Sequence, residues 1–314
     1  MDEKNVLHVT LAPEQAVDNR AGIGAESGAC GSKATIDTDS WHDKRYHTCV
    51  TYQQACERSG IPKSEAEILL ADLLGSDRAW LIAHGTDEMP ENIGRLLISR
   101  VMRRTSGEPV AYITGHQEFF GRTFIVDKNV LIPRPSTEAL IELALDVLAG
   151  KVTDDVRDAD TEIIVFAKLF ADPKDVRIIV DVGTGSGCIA VTLAMETDRK
   201  IIATDLSRDA LDIAKKNAKK FGAAVEFREG KDLEPVKDIE NPFLVVSNPP
   251  YIPDNTELTK DVIDFEPCAA LFGGRDGADV LREIVEQAKA HPMCRGVILE
   301  CGAEQRELCF PVGN

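Results

Sequence analysis

The spacing of apolar positions changes character along the sequence, and each change predicts a different element. Residues 1 to about 45 show little apolar periodicity and carry Gly22, Gly24, Gly28 and Gly31 among small and polar neighbours, which predicts a flexible extension. The run over residues 22–28 has the look of a phosphate loop, but no apolar strand leads into it, so it is not read as one. From Tyr46 to about Ser106 the period becomes helical. Residues 65–74 follow Pro62 and stop at Gly75, and Ile93, Leu96, Leu97 and Val101 recur at helical spacing after Pro90. A small helical domain is expected over residues 46–108, with a structural or a partner-contacting role equally open.

Residues 110–128 are rich in β-branched and aromatic side chains around Gly121, predicting a hairpin linker within 109–130. Behind it, Pro133 and Pro135 stiffen the backbone around Arg134, Ser136 or Thr137 is placed to cap, and residues 139–148 repeat apolar positions as a helix does. Arg134 is thereby held in a defined direction, either as a surface ion-pair partner or on the substrate side. Residues 151–176 join an acidic run (Asp154, Asp155, Asp158, Asp160 and Glu162) to an apolar piece over 163–170. Periodicity leaves that piece open between helix and strand, and the acidic run reads as a solvated loop.

At Val176 the pattern becomes that of a buried parallel sheet. Residues 176–180 form an apolar strand that runs into Asp181, Gly183, Thr184, Gly185 and Gly187, followed by an apolar helix over 188–195. Glycines there permit a tight turn and let backbone N–H groups approach a ligand at a helix N-terminus. A second strand over 200–205 ends in Asp205, placed to accept both hydroxyls of a ribose. The D-x-G-x-G-x-G spacing suits a nucleoside without a pyrophosphate. With Asp232 at the next strand end, as an adenine-edge partner or equally a helix cap, the cofactor implied is S-adenosylmethionine.

A later apolar strand runs into Asn248-Pro249-Pro250-Tyr251. The two prolines cannot continue a central strand, because they have no N–H and a fixed φ, so a rigid elbow is required. Such an elbow converges the amide oxygen of Asn248 and backbone carbonyls, Pro249's among them, on one spot, with the Tyr251 ring as a stacking face. Two in-plane acceptors suit a planar NH2 group, whose nitrogen lone pair is then free to attack. Asn248 lies where the cofactor and this acceptor site meet, and Asn248, Pro249, Pro250 and Tyr251 are the expected substrate-binding set.

Charge and composition narrow the class. In 314 residues, 53 acids against 36 bases give a net charge of −17, which argues against a generic electrostatic grip on nucleic acid. Lys215, Lys216, Lys219 and Lys220 cluster, but at spacings that place them on the outside of a helix. The 8 cysteines include no Cys-x-x-Cys pair and no zinc-like spacing with histidine, so they read as reduced thiols and no metal is expected. No run is long and apolar enough for a membrane span, and no signal or transit pattern opens the sequence, so a cytoplasmic protein is expected.

Taken together, these motifs resemble the HemK family of protein-glutamine methyltransferases. The resemblance runs from about Tyr46 to Glu300 and rests on several segments. They are Gly107-Glu108-Pro109-Val110, Gly115-His116-Gln117-Glu118-Phe119, Leu131-Ile132-Pro133-Arg134-Pro135, the Asp181 loop, Asp205, Asn248-Pro249-Pro250-Tyr251, Phe265-Glu266-Pro267 and Gly273-Gly274-Arg275-Asp276-Gly277. It implies a doubly wound, mostly parallel α/β sheet, the Rossmann-like class I S-adenosylmethionine-dependent methyltransferase fold, over residues 131–314. It implies methylation of the glutamine in the Gly-Gly-Gln motif of a peptide-chain release factor. Asn-Pro-Pro-Tyr alone is shared with adenine-amino methyltransferases of DNA or RNA, which form the alternative enzyme reading.

The sequence departs from the family in three places. Ser136 stands where the family usually shows an acid, residues 151–176 form a longer connection, and the sequence stops soon after the strand over 296–300. A sheet of this kind normally ends with two further strands, the last antiparallel. The expectation is therefore an incomplete C-terminal part, with the outer edge of the 296–300 strand uncovered and prone to pairing with another molecule. An interaction protein without turnover is the non-enzyme alternative that this ending raises.

Overall fold

The computed structural model describes residues 50–152, 155–158 and 162–310. The expected flexible extension over 1–45 lies outside these residues. Five helices open the described part: α1 (Tyr52–Glu57), α2 (Lys63–Leu74), α3 (Arg78–Ala83), α4 (Glu91–Thr105) and α5 (Val110–Thr114). Their limits follow local chemistry. Pro62, Pro90 and Pro109 precede α2, α4 and α5, Asp77 caps α3 by accepting from the Trp80 N–H, and Gly75 ends α2 in the left-handed region at φ 62°. The expected hairpin is thus shorter than its β-rich composition suggests, because Pro109 starts a helical turn. Gly115, at φ 78°, ends that turn and releases the backbone into β1 (His116–Phe119) and β2 (Arg122–Ile125).

Among the ties between the hairpin and the larger body, which include the Phe120 N–H to Glu138 and Arg122 to Glu196, one amide is buried. Asn217, fully buried, accepts from the Ile125 N–H through Oδ1 (2.7 Å) and donates through Nδ2 to the Ile125 and Ser186 carbonyls. One side chain therefore joins β2 to the glycine loop.

The main sheet contains β3 (Asp155–Asp158), β4 (Ile163–Leu169), β5 (Ile178–Val182), β6 (Lys200–Asp205), β7 (Val225–Glu229), β8 (Phe243–Ser247) and β9 (Cys294–Gly302), in the order β3-β4-β9-β8-β5-β6-β7. From β9 to β7 all neighbours are parallel. Period-two alternation sorts the strand residues onto two faces. Ile179, Ile201, Leu244, Val246 and Ile298 meet α6 (Glu138–Leu148), α7 (Cys188–Glu196) and α8 (Arg208–Phe221). Val180, Ile202, Val245, Val297 and Leu299 meet α10 (Asp279–Ala290) on the other face. Two short helices, α9 (Lys260–Ile263) and α11 (Ala303–Cys309), complete the described elements. This is the doubly wound α/β architecture that the sequence implies, and the four clustered lysines lie on the exposed side of α8.

The outer edge of β9 is not open. β4 pairs antiparallel along it, from Leu169↔Gly296 to Ile163↔Gly302, and β3 pairs antiparallel with β4 beyond it. The expectation of an uncovered strand is therefore wrong. The two outer strands come from the 151–176 connection, ahead of β5 in the sequence rather than behind β9. Part of the supposed solvated loop is strand β3; Asp154 and Asp160 lie outside the described residues. The undecided apolar piece is β4, whose Val165 and Phe166 are buried on opposite faces of the sheet. Gly296 fits this arrangement, since a Cβ there would come within 2.7 Å of the Lys168 carbonyl oxygen.

Candidate active site

The C-terminal ends of β5, β6, β8 and β9 lie side by side, where ligands bind in sheets of this type. After β5 the backbone turns through Gly183, Gly185 and Gly187, at φ 69°, 53° and 79°. The three glycines serve different purposes. A Cβ on Gly187 would meet Ala214 of α8 at 3.0 Å, so this position is fixed by helix packing. At Gly183 and Gly185 a Cβ would meet nothing within 4 Å, which leaves their backbone open to a ligand.

Asp181 is fully buried beneath this loop. Its Oδ2 accepts from Thr184 Oγ1 (2.6 Å) and the Ala190 N–H (3.0 Å), while Oδ1 has no hydrogen-bond partner among the described residues. Burial pushes its carboxyl up to about 7, against the pull of those two donors. Asp205 ends β6 and accepts from the Gly185 N–H (2.9 Å) and the Ser207 N–H (2.8 Å), so its carboxylate is aimed by the loop it faces. Burial raises its pKa too.

Asp232 lies three residues beyond the end of β7, in the left-handed region at φ 48°. It makes no helix cap. Its Oδ2 is buried without a hydrogen bond among the described residues, and burial, with Glu283 adding to it, pushes the carboxyl to about 6. The unpartnered Asp181 Oδ1 and the buried Asp232 carboxyl, whose Oδ2 lies 3.9 Å from Lys231 Nζ, together with the open glycine backbone, fit a nucleoside bearing a cationic tail.

One strand spacing from β5, β8 delivers the proline elbow. Asn248 Nδ2 donates to Thr137 Oγ1 at 3.0 Å. Pro249 is buried, and Pro250 and Tyr251 are half-buried. The segment over 271–277 buttresses the elbow from behind, through the Ile252 N–H to the Leu271 carbonyl (3.0 Å) and the Gly273 N–H to the Ile252 carbonyl (2.9 Å). Any Cβ on Gly273 or Gly277 would strike the Pro250 or Tyr251 carbonyl oxygen, which explains glycine at both positions.

Arg134 lies beside the elbow, with Nη2 2.5 Å from Oε1 of the buried Glu266. The other oxygen of Glu266 accepts from the Ile132 N–H (3.2 Å). The ion-pair reading of Arg134 is thus realised with a buried partner. Ser136 and Thr137, expected to cap a helix, do not cap. They sit in a 3-10 turn over Pro135–Thr137 ahead of α6, with hydroxyls turned to the site.

Sequence reasoning missed Glu300. It stands at the end of β9, fully buried, with Oε1 facing Ser136 Oγ (3.4 Å) and the Tyr251 hydroxyl (3.5 Å). The available signal was an acid near the end of an apolar strand, the same one that marked Asp181 and Asp205.

Burial pushes the Glu300 carboxyl up to about 7. A carboxyl whose folded pKa exceeds its unfolded value binds more protons when folded, so its stabilising contribution is present at low pH and lost as pH rises toward 7. From the ordinary glutamate value to about 7, the loss amounts to about 3 kcal/mol. Glu300→Gln is accordingly expected to melt several degrees above the parent at pH 8 and to match it at pH 5. Equal melting temperatures at pH 8 would show that the buried carboxylate costs nothing.

The sheet order, the glycine loop and the strand-end acids define a class I S-adenosylmethionine-dependent methyltransferase. Comparison with known proteins gives the same class and a finer one. The model of the PrmC N-terminal domain matches residues 52–115, and that of the methyltransferase small domain matches residues 145–265. The release factor glutamine methyltransferase of Koribacter versatilis is 40% identical over 234 residues, covering 73% of this chain and 75% of that protein. Its counterpart in Neisseria gonorrhoeae is 37% identical over 260 residues, 82% of this chain and 86% of that protein. The chain belongs to the release factor glutamine methyltransferase family. Among the described residues no helix is long and apolar enough to cross a membrane.

Proposed function

We propose that the enzyme transfers the methyl group of S-adenosylmethionine to the side-chain amide nitrogen of the glutamine in the Gly-Gly-Gln motif of a peptide-chain release factor. The observation that carries this is the Asn248 elbow beside the open glycine loop. Strands lie about 4.8 Å apart, so Asn248 after β8 and Asp205 after β6 are separated by two spacings, about 10 Å, which suits a nucleoside with its tail reaching the elbow. The names of the relatives support the choice of protein substrate.

In this reading Asn248 Oδ1 and the Pro249 carbonyl accept the two hydrogens of the glutamine NH2, and Tyr251 and Pro250 confine its plane. Arg134, whose side chain is 36% exposed, offers its remaining donors to the substrate backbone. When bound, the cofactor supplies a methyl group on a positively charged sulfur. Asp205 holds the ribose, Asp232 the adenine edge, Asp181 the cationic tail, and Gly183, Thr184, Gly185 and Gly187 line the loop. Asn248 orients the nitrogen lone pair along the line of attack. No strong base is required beforehand, because alignment and exclusion of water supply most of the acceleration, and the proton leaves afterward.

Mass spectrometry of a release factor incubated with enzyme and cofactor, with nucleic acid as competing acceptor, tests the assignment. A gain of about 14 Da on the Gly-Gly-Gln peptide supports it, as one methyl replacing one hydrogen requires; methyl incorporation into nucleic acid alone overturns it. Asp205→Ala should weaken cofactor binding by roughly 2–4 kcal/mol, because two hydroxyls lose a charged acceptor. Unchanged affinity in calorimetry of the folded variant would remove Asp205 from the ribose site.

A further inference from the structure

The turn that carries Asp232 is held in a shape it would not keep alone. Asp232 and Phe120 are the non-glycine residues with positive φ among the described residues. Aspartate tolerates that region where its side chain hydrogen-bonds locally, yet Asp232 Oδ2 makes no hydrogen bond among the described residues. A strained backbone persists only where its surroundings over-determine it, and such places gather at ligand sites.

Here the surroundings act from two sides. From β6, Thr204 Oγ1 donates to the Asp232 carbonyl (3.2 Å), and the Asp205 carbonyl accepts from the Gly230 N–H (3.0 Å). From α10, Gln287 Oε1 accepts from the Leu233 N–H (3.0 Å), and Glu283, one helical turn earlier, pairs with Lys231. The Asp232 carbonyl and the Leu233 N–H belong to one planar peptide unit and point in opposite directions. Thr204 and Gln287 therefore grip the same plane from its two ends, and a rotation of that plane would break both bonds. Lys231 Nζ, engaged by Glu283, stays 3.9 Å from Asp232 Oδ2, too far for a hydrogen bond.

We infer that Thr204 and Gln287 are positioning residues of the adenine subsite, and that their grip sets how strongly the enzyme prefers a base with an amine at the edge facing Asp232. A carboxylate only accepts, so it selects a base edge that presents an NH2 and repels one that presents a carbonyl. Selection of that kind depends on where the carboxylate points. A peptide free to rotate lets it swing and loosens the choice. The inference rests on the proposed role of Asp232 at the adenine edge, and both residues act through the Asp232 backbone.

Calorimetry with two probes tests it: S-adenosylhomocysteine and S-inosylhomocysteine, which differ in a carbonyl for the exocyclic amine. The titrations are run at pH 8, where a carboxyl titrating at about 6 is ionised. The parent should prefer the adenosyl compound by about 100-fold, and Asp232→Ala should reduce that preference to about threefold. Gln287→Leu and Thr204→Val should each weaken the adenosyl compound about tenfold and leave the inosyl compound within about twofold, while Gln287→Glu, which keeps an acceptor for the Leu233 N–H, should stay within about threefold of the parent for both. Equal weakening of both probes would make the two residues merely structural and overturn the inference. So would a parental preference in Gln287→Leu when Asp232→Ala has lost it, and that outcome leaves the adenine reading intact. A parental preference in Asp232→Ala would sink the adenine reading and the inference with it. No protein substrate enters the measurement, so the result is independent of the methyl acceptor. Should Thr204→Val fail to fold, the two substitutions of the half-buried Gln287 carry the test.

Discussion

Replacing Asn248 by alanine is expected to cut turnover roughly 1,000-fold while leaving cofactor affinity within about a factor of two, since in the proposed mechanism the loss is of a group that positions the acceptor nitrogen. Asn248 spends its Nδ2 on Thr137 and has only Oδ1 to offer the substrate. The elbow itself should survive, because its shape is set by Pro249 and Pro250 and by the Gly273-to-Gly277 segment behind it. Calorimetry with the cofactor and a methylation assay must therefore separate. Parallel losses in both, with the melting temperature intact, would move Asn248 from the substrate to the nucleoside.

Val165→Pro should destabilise the protein by about 3 kcal/mol or more, because proline in an interior strand removes a ladder hydrogen bond and forces the backbone away. Val165 is fully buried and is paired on both sides, with Glu300 of β9 and Arg157 of β3, so its N–H belongs to one ladder or the other. Loss of β4 would bare the edge of β9 and invite pairing between copies. It would also loosen the strand that carries Glu300, so activity should fall with stability. A variant that melts with the parent and remains monomeric in light scattering would show that β4 is not what covers β9.

Local chemistry announces itself in sequence when it depends on residues close together along the backbone. The Asp181-to-Gly187 loop needs positive φ at three glycines within five residues, and the Asn248 elbow needs two adjacent prolines after an apolar strand; both were legible. Helix limits at Pro62, Gly75 and Pro90 were legible for the same reason. Asp232 was visible as a strand-end acid, but its failure to cap the following turn was not, nor its burial beside Glu283 from a distant helix.

By itself, then, the sequence determined the alternation of strands and helices that begins at residue 176, the glycine loop, the strand-end acids and the proline elbow, because each follows from backbone sterics and short-range periodicity. Only the tertiary structure decided which strand covers β9. A strand edge is satisfied by any strand of suitable register and burial, whatever its place in the sequence, and β4 precedes β5 instead of following β9. Only the tertiary structure, too, set Ser136 and Tyr251 against Glu300, and Thr137 against Asn248. Residues 136 and 300 are far apart in sequence, and a buried carboxylate takes its partners from whatever the packed sheet sets beside it.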